Sequence, residues 1–119
     1  MSNKFGIPRQ VVTELRARDK TCVYCHKVMR TFAKIRAGLG SRADQATIEH
    51  LNCDPPFYWK DGLTKEGLAI CCSACNSSRG KKKLADWFKT DYCVSRNISE
   101  STVAEPVRRY LSRNPNKPG

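Results

Sequence analysis

Two Cys-x-x-Cys motifs, Cys22-Val23-Tyr24-Cys25 and Cys72-Ser73-Ala74-Cys75, set the first condition on this fold. Two residues between cysteines let one turn aim both sulfurs at a single ion, and two such turns complete a tetrahedron. The pairs lie far apart in sequence, so an ion shared between them staples the N-terminal part to a later strand and helix. The chain has 119 residues, of which 39% are hydrophobic. That suits one small domain with a modest core, the case in which a metal staple contributes most to folding.

Only Cys72 has the two-residue spacing to Cys75, so Cys71 is read as a free thiol, together with Cys53 and Cys93. Cys22-Val-Tyr-Cys25-His26 also fits the C-x-x-C-H pattern of haem attachment. Haem attachment requires an oxidising, exported setting and leaves the second pair unexplained, so zinc is the expected ion. The opening residues, Met1-Ser2-Asn3-Lys4-Phe5-Gly6, have no apolar h-region, and no apolar run reaches membrane-span length. The expected setting is a reducing cytoplasm (bacterial, phage or host), with no membrane partner and no secretion.

Lysine and arginine number 22 against 11 acidic residues, a net charge of +11. Such a surplus favours a polyanion, because each neutralised phosphate releases counterions. Charge alone does not separate a nucleic-acid binder from a basic soluble protein or a membrane-surface binder.

The periodicity predicts a helix over residues 8 to 20, started by Pro8 and carrying Val11, Val12 and Leu15 on an apolar stripe. Residues 27 to 42 bear Lys27, Arg30, Lys34, Arg36 and Arg42 without an acid, with Gly38 and Gly40 among them; part of this stretch reads as a mobile basic loop that tracks a phosphate backbone or is simply solvated. Ala46 to Leu51 reads as a short strand. Residues 52 to 67 form a connection containing Phe57, Tyr58 and Trp59. These aromatics suit base stacking, but plugging a small core is the commoner use. Leu68 to Cys71 reads as a second strand, and Ser73 as the N-cap of a helix that Gly80 ends or bends. Further helices are expected over 84 to 92, with Leu84, Trp87 and Phe88 buried, and over 103 to 112. Residues 114 to 119 read as a frayed tail.

Thr47-Ile-Glu49-His50-Leu51, Leu68-Ala-Ile and Cys72-Ser-Ala-Cys75-Asn76-Ser-Ser-Arg79-Gly80, preceded by Cys22 and Cys25, resemble the HNH endonuclease family, and most closely its members with a four-cysteine zinc. The resemblance covers about residues 8 to 90 and leaves a C-terminal helical extension, about 91 to 113, unexplained. It implies an α+β fold: a zinc-stapled ββα-metal core, treble-clef-like, with flanking N- and C-terminal helices in one domain. It further implies metal-dependent hydrolysis of DNA phosphodiesters. His50 would be the general base, Glu49 and Asn76 would hold a catalytic Mg²⁺ or Mn²⁺, and Cys22, Cys25, Cys72 and Cys75 would hold a structural zinc. The chemistry is consistent, since imidazole titrates near neutrality, hard oxygens suit Mg²⁺, and soft thiolates select zinc. Arg79, Lys81, Lys82 and Lys83, with Arg36 and Arg42, are expected on the phosphate backbone.

The family's middle asparagine is replaced by Gly67, and Asn52 is the nearest candidate to brace the histidine. A non-catalytic zinc-stapled nucleic-acid-binding module is the alternative function, and a zinc-stapled protein-interaction module a third that leaves the charge unused. A monomeric nickase and a homodimer cutting both strands are equally compatible with one site per chain.

Overall fold

A computed structural model describes residues 3–30 and 43–113. Among them the order is α1 (Arg9–Arg18), β1 (Ala46–His50), β2 (Leu68–Cys72), α2 (Ser73–Arg79), α3 (Leu84–Trp87), α4 (Asp91–Arg96) and α5 (Glu105–Arg113), with 3₁₀ turns at Trp59–Asp61 and Lys65–Gly67. This is a small α+β fold with a two-stranded antiparallel sheet. The register pairs Thr47 with Cys71, Glu49 with Ala69 and His50 with Leu68.

Every residue of β2 is buried, because the strand lies between α1 on one side and β1 with α2 on the other. Its outer edge does not face solvent. The Ile70 N–H donates to Asp19 Oδ2 at 2.9 Å, and the Ile70 carbonyl accepts from the Val23 N–H at 3.3 Å. An uncovered edge would invite pairing with another chain. Here the end of α1 and the first cysteine turn close it.

α1 buries Val12 and Leu15, three residues apart on one face. Pro8 sits at its N-cap, and its last turn carries Arg16, whose guanidinium donates to the carbonyls of Asp19, Lys20 and Met29. Those bonds tie the last turn of α1 to the chain that leaves it and to Met29 beyond the cysteine turn. Asp19, 4% exposed, also takes both guanidinium bonds of Arg18 at 2.8 Å.

α2 begins one residue earlier than Ser73 as N-cap would require: Cys72 holds the cap position and Ser73 is the first helical residue. Gly80 stops the helix at a positive φ of 53°, with its N–H returned to the Asn76 carbonyl. The helix expected over 84 to 92 is two helices, α3 and α4. The first closes where both the N–H and the hydroxyl of Thr90 bond the Trp87 carbonyl, at 2.9 and 2.7 Å, and Thr90 turns extended to cap the second. Trp87, fully buried, packs edge-on against Tyr24 at 4.8 Å between ring centres. The Ala104 N–H reaches the Val23 carbonyl at 2.8 Å, so the segment leading into α5 is fastened to the first cysteine turn.

Candidate functional site

The cysteine turn 22–25 is closed by backbone bonds from the Cys22 N–H to the Lys27 carbonyl and from the His26 N–H to the Cys22 carbonyl, both 2.9 Å. His26 takes the left-handed conformation this tight return demands. The second pair sits where β2 runs into α2. The fold brings Cys22, Cys25, Cys72 and Cys75 together, with all four sulfurs within 4.8 Å of one another. Cys25 Sγ and Cys72 Sγ are 3.8 Å apart, the edge of a tetrahedron whose metal–sulfur bonds are about 2.3 Å. The Tyr24 N–H and the Tyr92 hydroxyl point at Cys22 and Cys75 sulfurs at 3.4 and 3.3 Å. Such donors favour thiolates. The cluster can therefore hold a structural metal such as zinc.

Crowding splits the thiols. Hydrogen bonding from Cys22 draws Cys25 and Cys72 below the ordinary thiol range. Cys22 and Cys75 are pushed up, first by their bonds to Cys25 and Cys22 respectively. Neutralising four converging sulfurs is the task of a bound cation. Cys71 takes no part: it lies beside Thr47 Oγ1 at 3.7 Å, and burial pushes its thiol well up. Cys22 and Cys25 face the second pair, an arrangement that haem attachment does not require. His26 bonds the Thr102 carbonyl.

Alternation along β1 sends Glu49 and His50 to different surroundings. Glu49 is 4% exposed. Its Oε2 accepts from the Tyr24 hydroxyl at 2.6 Å and from Arg79 Nη1 at 3.2 Å. Burial raises its carboxyl above the usual range, opposed by the Arg79 charge and the Tyr24 bond. The Tyr24 hydroxyl is raised in turn, by burial and then by the Glu49 charge.

The structure moves Arg79 from its expected place on a phosphate to the interior, 1% exposed. Its guanidinium donates to Glu49, to the carbonyls of His50 and Leu51 at 2.8 Å each, and to that of Lys82 at 2.9 Å. A desolvated guanidinium stays inside because its fork is filled with acceptors. It thereby clamps the end of β1, including the main chain of His50, to α2.

His50 is half-buried. Its Nε2 lies 3.0 Å from the Phe57 carbonyl, which can only accept, so Nε2 carries the proton and a neutral ring keeps its lone pair on Nδ1. Phe5 packs edge-on against the ring at 4.3 Å and Phe57 at 5.7 Å. Burial lowers the imidazole below its ordinary value; the Phe57 bond opposes this, and Lys4 and Arg79 add to it. The brace on the ring is thus a backbone carbonyl, not Asn52, whose Oδ1 accepts from the Asp54 N–H. Gly67 serves through its carbonyl, which accepts from the Leu51 N–H at 2.9 Å. No side-chain pattern could have marked Phe57, since any residue offers that carbonyl.

Asn76 Nδ2 donates to Thr47 Oγ1 at 3.0 Å and to the Ile48 carbonyl at 3.1 Å. With the amide nitrogen so fixed, its oxygen is the group left to accept from or ligate a partner. Asn76, Glu49 and His50 line one open groove of about 760 Å³, with Lys4 and Lys81 at the same groove. Of the other two expected lysines, Lys82 reaches back to the Ser78 carbonyl, and both it and Lys83 are exposed. Arg36 and Arg42, like most of the expected basic loop, lie outside the described residues; Arg30 pairs with Asp44 at 3.0 Å. Of the aromatic trio, Phe57 flanks His50, Trp59 packs on the core and Tyr58 is exposed.

No helix among the described residues is long and apolar enough to cross a membrane. Comparison of the chain with protein-family models, with curated protein sequences and with solved structures finds no match.

Proposed function

We propose that this chain is a metal-dependent DNA endonuclease of the HNH type, built on a zinc-stapled ββα core. The observation that carries the reading is the shared groove of His50 and Asn76, with the imidazole fixed at Nε2 and basic at Nδ1. The resemblance of Glu49-His50 and Cys72-Ser-Ala-Cys75-Asn76 to the family, and the charge of +11, support it.

In this reading His50 Nδ1 takes a proton from water as the water oxygen attacks the phosphorus. The bond from phosphorus to the leaving oxygen breaks, and that oxygen takes a proton from solvent. The products are a phosphomonoester and a hydroxyl end. A divalent ion such as Mg²⁺ or Mn²⁺, when bound, offsets charge on the phosphate and the leaving oxygen. Asn76 Oδ1 fits as a hard ligand for it. Glu49 fits less well: Oε2 is already engaged and Arg79 balances the carboxylate charge, which leaves Oε1 as its one available ligand atom.

That engagement of Glu49 favours a second reading, a nucleic-acid-binding module that keeps the fold without the chemistry. Supercoiled plasmid incubated with Mg²⁺ or Mn²⁺ separates the two. The nuclease reading expects nicked or linear product that appears only with the added ion. Intact plasmid retained in a protein complex would leave the binding module.

A further inference from the structure

Two grooves share His50 and Asn52 as lining residues. The first, described above, is bounded by β1 and the end of α2 and carries Lys4 and Lys81. The second, about 490 Å³, lies between the segment 62–67 and α5 and carries Arg18, Lys65, Arg109 and Arg113 against Asp54 and Glu66. Among the described residues the only acid lining the first groove is Glu49, which is already paired with Arg79. In both grooves basic side chains outnumber acidic ones, three to one in the first and four to two in the second, three of those four being paired with acids outside the groove, and His50 lines both.

We propose that one DNA strand occupies both grooves and crosses His50 between them, with α5 forming a wall of the track through Arg109 and Arg113. This rests on the reading of DNA as substrate, and it gives the C-terminal helix, which lies beyond the family-like residues, a function of its own. Arg18 contributes least, because Asp19 and the Leu68 carbonyl already hold its guanidinium. Arg109 and Lys65 are paired to Glu105 and Glu14. These pairs are solvent-exposed on both partners, and exposed pairs are weak and screened, so a phosphate displaces the carboxylates readily. Arg113 is exposed beside them. Phosphate contacts on both sides of His50 fix the register of the strand, so the ester at the junction is the one presented to the base.

The test is fluorescence anisotropy with a labelled DNA duplex and the matching single strand, using the full chain in Ca²⁺ so that binding is read without turnover. Arg109→Gln/Arg113→Gln, and each single variant, are compared with Arg108→Gln, which removes one charge from the same helix outside the groove. The double variant is expected to bind at least about tenfold more weakly near 0.1 M salt. The slope of log K against log salt should fall by about 2, one unit for each lost phosphate contact. Arg108→Gln should bind as the parent does, and far-UV circular dichroism should be the same for all the variants. Unchanged affinity in the double variant, or a loss in Arg108→Gln equal to that of either single variant, overturns the track. So does binding to phosphatidylserine vesicles without binding to DNA. A protein that shows this salt dependence yet cleaves no plasmid keeps the track and loses the nuclease reading, so the two fail separately.

Discussion

The Tyr24 hydroxyl donates to Glu49 Oε2 at 2.6 Å. Tyr24 stands between the two cysteines of the first turn, and Glu49 immediately precedes His50, so this one bond joins the sulfur cluster to the strand that carries the imidazole. Arg79 extends the connection, holding Glu49 on one side and the His50 carbonyl on the other. A folded cysteine turn and a placed histidine are therefore mechanically one unit.

Removing the bond should be measurable. Tyr24→Phe leaves the carboxylate buried with one donor fewer, a loss of about 1–3 kcal/mol. Arg79→Ala leaves it without its cation, a loss of at least about 3 kcal/mol. Arg79→Lys restores the charge but not the fork, and is expected to recover only part of the loss. Urea unfolding of the metal-loaded proteins checks the order; equal stability of Arg79→Ala and the parent would remove the clamp.

The four sulfurs and their neighbour behave differently on substitution. Cys75→Ser should lose the bound metal and leave an unfolded or insoluble chain, because binding of a structural metal is largely folding free energy. Cys71→Ser should keep one zinc per chain, since Cys71 lies outside the cluster. Metal content by mass spectrometry, with circular dichroism beside it, reads both. A folded, metal-free Cys75→Ser would end the account of the staple.

Burial holds His50 below the ordinary imidazole value of 6.5. In the proposed nuclease a histidine acting as base must be neutral, so kcat/KM for cleavage should be flat near neutrality and fall as pH drops through a value below 6.5. Lys4 is among the charges that lower it. Lys4→Gln should move this acid limb toward higher pH. A limb that stays in place, or one already above 6.5 in the parent, contradicts the environment described for the ring.

Asn76→Ala tests the other side of the groove. It deletes the candidate ligand oxygen and the bonds to Thr47 and Ile48 together. Cleavage should then need a higher Mg²⁺ concentration for half-maximal rate. An unaltered Mg²⁺ dependence would place the ion elsewhere.

What the sequence made legible, and what it did not, divides by the kind of group involved. The convergence of Cys22, Cys25, Cys72 and Cys75 was readable because spacing alone dictates where such sulfurs can aim. The strands at 46 and 68 and the helix after Cys72 were readable from apolar runs and Gly80. Arg79 was misplaced because a charged side chain is by default a surface group, and its acceptors are mainly main-chain carbonyls, which leave no trace in the sequence. The Phe57 carbonyl that braces His50 was invisible for the same reason. The break between α3 and α4 falls at Thr90, whose N–H and hydroxyl both bond the Trp87 carbonyl and whose extended backbone caps α4, a local choice that the apolar spacing does not reveal.

In the proposed reaction His50 Nδ1 removes a proton from the attacking water. Single-turnover cleavage of a defined DNA duplex by the parent and by His50→Ala, at equal zinc content and saturating Mg²⁺, addresses it directly. The rate in the variant is expected to be at least about a hundredfold lower, the smaller end of what general-base catalysis supplies. A variant that cleaves at the parental rate would contradict it.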